Sequence, residues 1–392
     1  MAKFENTLKP YRCTDMNQHY YPVVRAKQGE FDAFKNMPNT VLSRCTPILE
    51  IPKISAKEYE VAVKKSDTPY EYWMDNKARK IAAVFKGKSI IVDASQWPVN
   101  FTTEGGSQVL GHMSSLLSSL GVNVNPVVGY ARWDDAQYRQ DIKNMTLKSG
   151  ERFCIRLDEI ALEDMADVDH FESIIEDICI TIGVEASDIK VIVDIGDVTK
   201  LPISEITEIM DESHSTLIGL GFETIIITAS SIPDSIEKAV KERDSSDTMV
   251  RKEMLAWKGF VSANPNANLS FGDYGIRNPR SSDIIAPDMN VKIRYTIENG
   301  FFIARGHSVR GVDGYGQSQK LSKVIVDSKH YLGPSFSWGD KKILDCSKGL
   351  FVGNSTGWIA IDTNHHVTAV TAEIFEFATT LAAQTSKSGV RV

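Results

Sequence analysis

The chain has 392 residues, of which 42% are hydrophobic and 24% are charged, so it can bury a large core. This composition excludes a fibrous, disordered or membrane-embedded protein. Lys and Arg number 44 against 51 Asp and Glu, and the resulting net charge of −7 argues against a sequence-independent grip on nucleic acid.

The start of the chain lacks the apolar stretch of a secretory signal, and no run approaches the roughly 18 apolar residues of a membrane-spanning helix. We therefore expect a cytoplasmic protein without a membrane partner. The 5 cysteines include no C-x-x-C pair, so we expect reduced thiols and no zinc or disulfide framework.

Eight short β-rich runs recur along the chain with helical patterns between them. The predicted strands are 21–26, 46–51, 89–94, 122–129, 152–157, 190–195, 224–229 and 268–274. Between them, apolar residues recur at three- and four-residue spacing, which predicts covering helices that include 109–120, 168–182 and 203–220. This alternation is typical of βα units around a parallel sheet.

Two architectures fit such a series: a (β/α)8 barrel and a doubly wound open sheet. Eight strands over about 250 residues match a barrel, and apolar strand centres suit strands that are buried on both faces. No glycine-rich nucleotide-binding loop follows the first strand, and polar residues gather at nearly every strand's carboxyl end. The sequence therefore favours a TIM-barrel-like fold.

The pattern changes after the eighth strand. Runs 291–296 and 301–305 flank Glu298-Asn299-Gly300, which predicts a β-hairpin with Asn-Gly in positive φ. A helix is predicted over 317–328, an irregular Gly-, Ser-, Asn- and Trp-rich segment over 331–366, and a last helix over 369–383. We expect residues 1–289 to form the barrel-like domain and residues 290–392 an extension that packs on it.

In a (β/α)8 barrel the carboxyl ends of the strands share one mouth, where reactive groups lie. The carboxylates predicted there are Glu50, Asp93, Asp194 and Asp273. Neighbouring carboxylates can act as general acid and base, and they could also hold Mg²⁺.

The same strand ends supply cations. Arg25, Lys27, Arg156 and Arg277 could clamp a phosphate or carboxylate, with Asp158 beside them. The alternative is an ion-pair network that serves stability alone, because no single residue of this set is diagnostic.

A second polar constellation lies in the extension and comprises Trp338, Asp340, Asn354, Trp358, His365 and His366. His366 could be a general base, and the tryptophans could stack on a ring of the ligand. No metal is predicted, because adjacent residues of a strand face opposite sides and a third ligand is missing. The alternative is a hydrogen-bonded histidine and buried tryptophans that fix an irregular loop.

The chain resembles the beta protein family of bacteria and phages. The resemblance rests on residues 21–30 (YPVVRAKQGE), 46–51 (TPILEI), 336–340 (FSWGD), 353–354 (GN) and 364–366 (NHH). It implies a part in the conflict between phage and host, but it supplies no activity, substrate or catalytic residue.

Two functional hypotheses follow. In the first, the barrel mouth, partly lidded by the extension, binds and hydrolyses a small phosphorylated or nucleotide-like ligand, as a phosphodiesterase-type hydrolase would. In the second, the protein is a non-catalytic sensor or protein-interaction component of a phage-defence system, with a protein partner or a second copy of the chain. An exposed apolar patch on the extension would favour the second hypothesis.

Overall fold

Eight parallel strands close into a barrel in the computed structural model, which describes residues 18–281 and 288–387. The barrel strands are β1 (Tyr20–Arg25), β2 (Ile48–Glu50), β3 (Ser89–Asp93), β4 (Asn123–Gly129), β5 (Cys154–Leu157), β6 (Lys190–Asp197), β7 (Thr224–Ser230) and β9 (Leu269–Asp273). They pair in chain order, and β9 closes the ring on β1. The predicted barrel is thus confirmed, with all eight strands at their expected places.

The barrel strands are buried on both faces, which explains their apolar centres. Ile48, Ile91, Ile192 and Ile226 fill the inside of the barrel, and the alternate residues pack outward under the helices. Each such side chain contributes roughly 1.5–3 kcal/mol by leaving water.

Helices surround the strands. They are α1 (Gln28–Lys35), α2 (Asn39–Leu42), α3 (Ala56–Val63), α4 (Pro69–Phe85), α5 (Val109–Ser119), α6 (Ala136–Lys143), α7 (Glu159–Asp164), α8 (Val168–Ile182), α9 (Ile203–Gly219), α10 (Ile236–Ala239) and α11 (Lys252–Ala263), followed by α12 (Ser318–Val326), α13 (Trp338–Ser347) and α14 (Ser355–Lys387). The three predicted covering helices are confirmed as α5, α8 and α9. Within the described ranges, no helix is both long enough and apolar enough to cross a membrane.

A three-stranded antiparallel sheet stands beside the barrel. It consists of β8 (Ser245–Val250), β10 (Asn290–Ile297) and β11 (Gly300–Ser308), in the order β10-β11-β8. The predicted hairpin is confirmed as β10 and β11. No strand is predicted at β8, because this stretch lacks alternating apolar residues.

The hairpin turn corrects one detail of the prediction. Asn299 has a φ of 55°, but Gly300 does not share a positive φ. Gly300 is instead the first residue of β11, where a Cβ would lie 2.6 Å from the carbonyl oxygen of Met249. The glycine is needed for close approach of two strands rather than for the turn.

The predicted irregular segment 331–366 is wrong, because most of it is helical. Its small polar residues are helix caps: Ser337 Oγ accepts from the Asp340 N–H at 3.0 Å, and Asn354 Oδ1 accepts from the Gly357 N–H at 2.9 Å. The last helix, predicted over 369–383, begins at Ser355.

Helix α14 packs against the outside of the barrel, beside the other covering helices. Val367, Val370 and Ile374 belong to the apolar core under the barrel helices. The helix contacts α1 and β1, and its Phe377 lies 5.5 Å from Trp257 of α11, measured between ring centroids. Helix α14 therefore fills the helix position that follows β9. The division of the chain between 289 and 290 stays a prediction.

Candidate functional site

The barrel interior changes from apolar to charged at the carboxyl ends of the strands. Glu50, Asp93, Arg156 and Asp194 end β2, β3, β5 and the regular part of β6, and Tyr274 follows β9. Each lies two residues beyond an inward-facing position, so alternation points all five into the barrel. We call these five residues the mouth cluster.

The guanidinium of Arg156 is at the centre of the mouth cluster. Its Nε and Nη2 donate to Asp194 Oδ2 at 3.1 and 2.7 Å, and Nη2 also donates to Tyr274 Oη at 2.6 Å. Its Nη1 donates to Glu50 Oε1 at 3.2 Å and to Asp93 Oδ2. An arginine has five N–H donors, so every donor of Arg156 is taken by the protein.

Asp194 is held by the backbone as well as by Arg156. The β6 to β7 register shifts between Asp194 and Gly196. Gly196 has a φ of 71°, and its N–H donates to Asp194 Oδ1 at 3.1 Å. Thr228 Oγ1 donates to the same oxygen at 3.1 Å, and Tyr274 Oη donates to Oδ2 at 2.6 Å. This bulge fixes the carboxylate against the guanidinium.

Glu50 is the least satisfied carboxylate of the mouth cluster. Within the described part of the chain, its Oε2 accepts only from Gln96 Nε2, at a long 3.5 Å. Burial raises the pKa of Glu50 above its ordinary value; the Arg156 charge opposes this rise and the neighbouring Asp93 adds to it. One cation faces three carboxylates, so Glu50 is the group most able to hold a proton.

A cavity of about 280 Å³ opens above the mouth cluster. All five cluster residues line it, and its other polar walls are Ser95, Gln96, Arg132, Tyr138 and Asp158. Asp158 also caps α7 by accepting from the Ala161 N–H at 3.4 Å, and partial burial raises its pKa. Arg132 Nη1 and Nη2 donate to the backbone oxygens of Ala94 and Trp97.

The remaining predicted cations do not line this cavity. Arg25 Nη2 donates to the Ser281 carbonyl oxygen at 2.5 Å, and Arg277 pairs with the buried Glu30. Lys27 is half-buried at the N-terminal cap of α1. The structure does not bring these three cations together with Arg156, whose donors go to three carboxylates and Tyr274.

Asp273 was expected at the mouth and His366 in the extension, and neither lines the mouth cavity. Asp273 precedes the inward-facing Tyr274 and points outward, where Tyr20 Oη donates to its Oδ1 at 2.5 Å. His366 Nε2 lies 3.1 Å from Asp273 Oδ2, and its Nδ1 lies 2.8 Å from Thr296 Oγ1. Burial alone would raise the pKa of Asp273, but His366 and Tyr20 lower it below its ordinary value. The His366 side chain is 0% exposed, so it cannot reach a ligand at the mouth.

His365 forms a second buried pair. Its Nδ1 lies 2.8 Å from Asp340 Oδ2 and its Nε2 lies 2.8 Å from the Thr296 carbonyl oxygen. Each ring nitrogen therefore faces an oxygen of the protein, one of a carboxylate and one of the backbone. The ring stacks on Tyr295 at a centroid distance of 3.8 Å. We call Asp273, Asp340, His365 and His366 the histidine cluster.

The other extension residues serve the packing of α13 and α14. Trp358 is buried, and its Nε1 donates to the Val352 carbonyl oxygen at 3.1 Å. Trp358 belongs to an apolar cluster in the extension, and Trp338 packs against that cluster. Asn354 is exposed and caps the start of α14. These contacts agree with the structural alternative for the constellation, and neither tryptophan lines the mouth cavity.

Metal binding has no support at the mouth. Among residues 18–281 and 288–387, no group of three or more His, Cys, Asp or Glu side chains is arranged to hold a metal ion. The Arg156 guanidinium supplies a positive charge among the carboxylates that could hold Mg²⁺.

Some mouth residues escaped the prediction. Tyr274 was recognised at a strand end but was given no role, although its alternation with Gly272 places it inside the barrel. Arg132 and Tyr138 come from the segment after β4, and no spacing rule predicts where such a segment places its side chains.

Fold and site together define a TIM-barrel-like α/β protein with a charged cluster at the carboxyl ends of its strands. A family model described as "Beta protein" matches residues 20–372. The chain therefore belongs to the beta protein family, as the motifs at its two ends indicate. A search of curated proteins finds no match.

Proposed function

We propose that the protein binds a small polar ligand at the barrel mouth, and that this ligand carries hydroxyl or amino groups facing Glu50. The observation that supports this proposal is the saturation of Arg156: its five N–H donors are used, while among the described residues Glu50 Oε2 accepts only one hydrogen bond, at 3.5 Å. The cavity therefore offers hydrogen-bond acceptors, which favour a ligand with hydrogen-bond donors.

The charge of the cavity points the same way. Glu50, Asp93, Asp158 and Asp194 line it together with Arg132 and Arg156. Arg156 has no donor left and Arg132 spends two of its five on backbone oxygens, so a phosphate would meet four carboxylates with only part of one guanidinium to bind it. The proposal thus replaces the phosphorylated ligand expected from the sequence by a neutral or cationic one.

Glu50 gives the site its chemical capacity. A buried carboxyl with a raised pKa can give a proton to a ligand atom or take one from it, as a general acid or base does. Hydrolysis would use Glu50 in this role, whereas a sensor would use it only to recognise the ligand.

The test is a thermal-shift screen of the full chain against polyols, sugars, primary amines, nucleotides and inorganic phosphate. We expect members of the first three classes to raise the unfolding midpoint of the wild type but not of Glu50→Gln. The exposed Glu60→Gln is the matched control and should respond as the wild type does. A shift with phosphate or nucleotides alone would overturn the proposed ligand class, and no shift with any class would overturn binding at the mouth.

A second candidate function is the non-catalytic recognition of a protein partner in phage defence. It is favoured by large apolar side chains exposed on the extension, namely Val312, Leu332, Leu350 and Val352. Light scattering of the purified chain tests its simplest form, self-association. A dimer that Leu350→Glu dissociates would support this candidate, and a monomer at all concentrations would count against self-association.

A further inference from the structure

Two side chains of the mouth cavity carry opposite charges and do not pair with each other. Arg132 and Asp158 both line the cavity, and both are only half-buried, so a ligand in the cavity can contact them. Neither forms an ion pair with any residue in the described part of the chain. They differ in this from Arg156, whose donors are all used within the mouth cluster.

The backbone keeps these two charges apart, although they follow neighbouring strands. Arg132 ends a short 3-10 turn after β4, and Asp158 directly follows β5, which pairs with β4. The Arg132 guanidinium donates away from β5, to backbone oxygens of the loop after β3. Asp158 is held at the start of α7, where its Oδ1 accepts from the Ala161 N–H at 3.4 Å. The cavity therefore has a cation on one wall and an anion on another.

Arg132 keeps part of its hydrogen-bonding capacity for a ligand. An arginine has five N–H donors. Two donors of Arg132 go to backbone oxygens, and one can reach the hydroxyl of Tyr138, over whose ring the guanidinium lies at 5.5 Å from the centroid. At least two donors are thus left, which is the number that a carboxylate group accepts in a bidentate pair.

A ligand with a single charge would serve only one of the two side chains. An amine would leave the Arg132 charge without a partner, and an acid would add negative charge to a cavity that four carboxylates already line. A ligand with both an ammonium and a carboxylate group pairs with both side chains and adds no net charge. The cavity of about 280 Å³ limits such a ligand to a small molecule.

We infer that the ligand of the mouth is a zwitterion of the amino-acid class, whose carboxylate binds Arg132 and whose ammonium group binds Asp158. This inference rests on the proposed binding at the mouth and names the chemical class of its ligand. The ammonium group is also a donor of the kind that the acceptors around Glu50 favour.

The test is isothermal titration calorimetry of the full chain with the standard L-amino acids and with γ-aminobutyrate. The amino acid that binds most tightly is then compared with the amine that lacks its carboxylate and the acid that lacks its ammonium group. For serine, these analogues are ethanolamine and 3-hydroxypropionate. We expect each analogue to bind about tenfold more weakly than the amino acid, because each loses one charged hydrogen-bonding group.

Two variants separate the two halves of the ligand. Arg132→Met should weaken the amino acid about tenfold and leave the amine unchanged. Asp158→Asn should weaken both the amino acid and the amine about tenfold. Asparagine is also a good N-terminal cap, so Asp158→Asn should fold and keeps the test decisive if Arg132→Met does not.

Arg139→Met and Asp167→Asn are the matched controls. Arg139 is half-buried on α6, and Asp167 caps α8 by accepting from the His170 N–H at 3.4 Å. Neither residue lines the cavity, so both variants should bind the amino acid as the wild type does.

Three results would overturn the inference. Equal binding of the amino acid and its amine, or wild-type affinity in Arg132→Met, would show that the carboxylate is not recognised. Binding of polyols or sugars without any amino acid would overturn the inference and leave the proposed function in place. No binding of any class up to about 10 mM would overturn both.

Discussion

The mouth cluster and the histidine cluster are both buried groups of titratable side chains, but their carboxylates are paired differently. In the histidine cluster each carboxylate has its own histidine, Asp340 with His365 and Asp273 with His366. In the mouth cluster one guanidinium serves three carboxylates beside a cavity. Buried groups that are paired one to one and closed off from solvent hold a structure in place. A cluster with more carboxylates than cations beside a cavity can respond to a ligand or a proton.

The largest expected effect comes from removing the only arginine of the mouth cluster. Arg156→Met leaves three buried carboxylates without their partner, so we expect a loss of about 3–5 kcal/mol or more in the free energy of unfolding. Burial raises the pKa of Glu50 and Arg156 opposes this rise, so without Arg156 the folded-state pKa of Glu50 lies still further above its unfolded value. The loss should therefore be smallest at low pH and grow as the pH rises.

Urea denaturation at several pH values measures this loss. Arg152→Met is the matched control, because Arg152 pairs with Asp188 on the surface, where the two side chains are 50% and 55% exposed. We expect the control to lose less than about 1 kcal/mol. Equal losses of unfolding free energy in Arg156→Met and Arg152→Met would show that the buried ion pairs of Arg156 stabilise the fold no more than a surface pair does.

A smaller effect is expected in the histidine cluster. His365→Ala leaves Asp340 without its histidine partner and opens a cavity beside Tyr295. We expect a loss of about 3 kcal/mol in the free energy of unfolding. The control is His307→Ala, since His307 forms an exposed pair with Asp244 at 2.8 Å. Denaturation should show a clear loss only for His365→Ala, and ligand binding at the mouth should survive in both variants. Loss of mouth binding in folded His365→Ala would break the distinction between the two clusters.

The third effect tests the helix crossing that carries the histidines. A Cβ on Gly339 would lie 2.5 Å from the Ile361 carbonyl oxygen and 3.1 Å from His365 Cβ. Gly339→Ala should force α13 away from α14 and cost about 1–3 kcal/mol. In the control Gly259→Ala, the added Cβ meets nothing within 4 Å, so this variant should gain up to about 1 kcal/mol of helix stability. Equal thermal midpoints for the two variants would contradict the close approach.

The smallest effect is a pH dependence at Glu50. Its folded pKa is raised, so its contribution to stability is fully present below its ordinary pKa and is lost as the pH rises through the folded value. Glu50→Gln cannot lose a proton, so its stability should fall less than that of the wild type over this range. Denaturation midpoints between pH 4 and pH 8 measure the difference. Parallel dependences of the denaturation midpoint on pH for the wild type and Glu50→Gln would contradict a raised pKa of Glu50.

The barrel could be predicted because its signal is local. Each strand is a short apolar run, and strand ends that meet at one mouth bring Glu50, Asp93, Arg156 and Asp194 together in any such barrel. Asp273 was predicted at the mouth, although adjacent residues of a strand face opposite sides and Tyr274 faces the inside of the barrel. Strand β8 was not predicted, because its polar sequence has no periodic apolar signal. The first part of helix α14 was predicted as a loop, because its cap residues are also typical of loops.

The saturation of Arg156 could not be predicted, because it depends on distances across four strands. The sequence shows cations and carboxylates at one mouth, but only the folded barrel shows that three carboxylates and Tyr274 take all five donors. The burial of His366 behind the barrel has the same origin. Its position follows from how α14 packs between α1 and α11, over a distance that no spacing rule covers.

The central claim is that unbalanced charge leaves Glu50 as the proton-holding group of the mouth. A ¹³C NMR titration of labelled glutamate carboxyl groups tests it most directly, with the Glu50 signal assigned by its absence in Glu50→Gln. The account predicts that Glu50 titrates above the ordinary value of 4.5 for a glutamate. Titration at or below that value would show that Arg156 compensates all three carboxylates, and would contradict the proposed site.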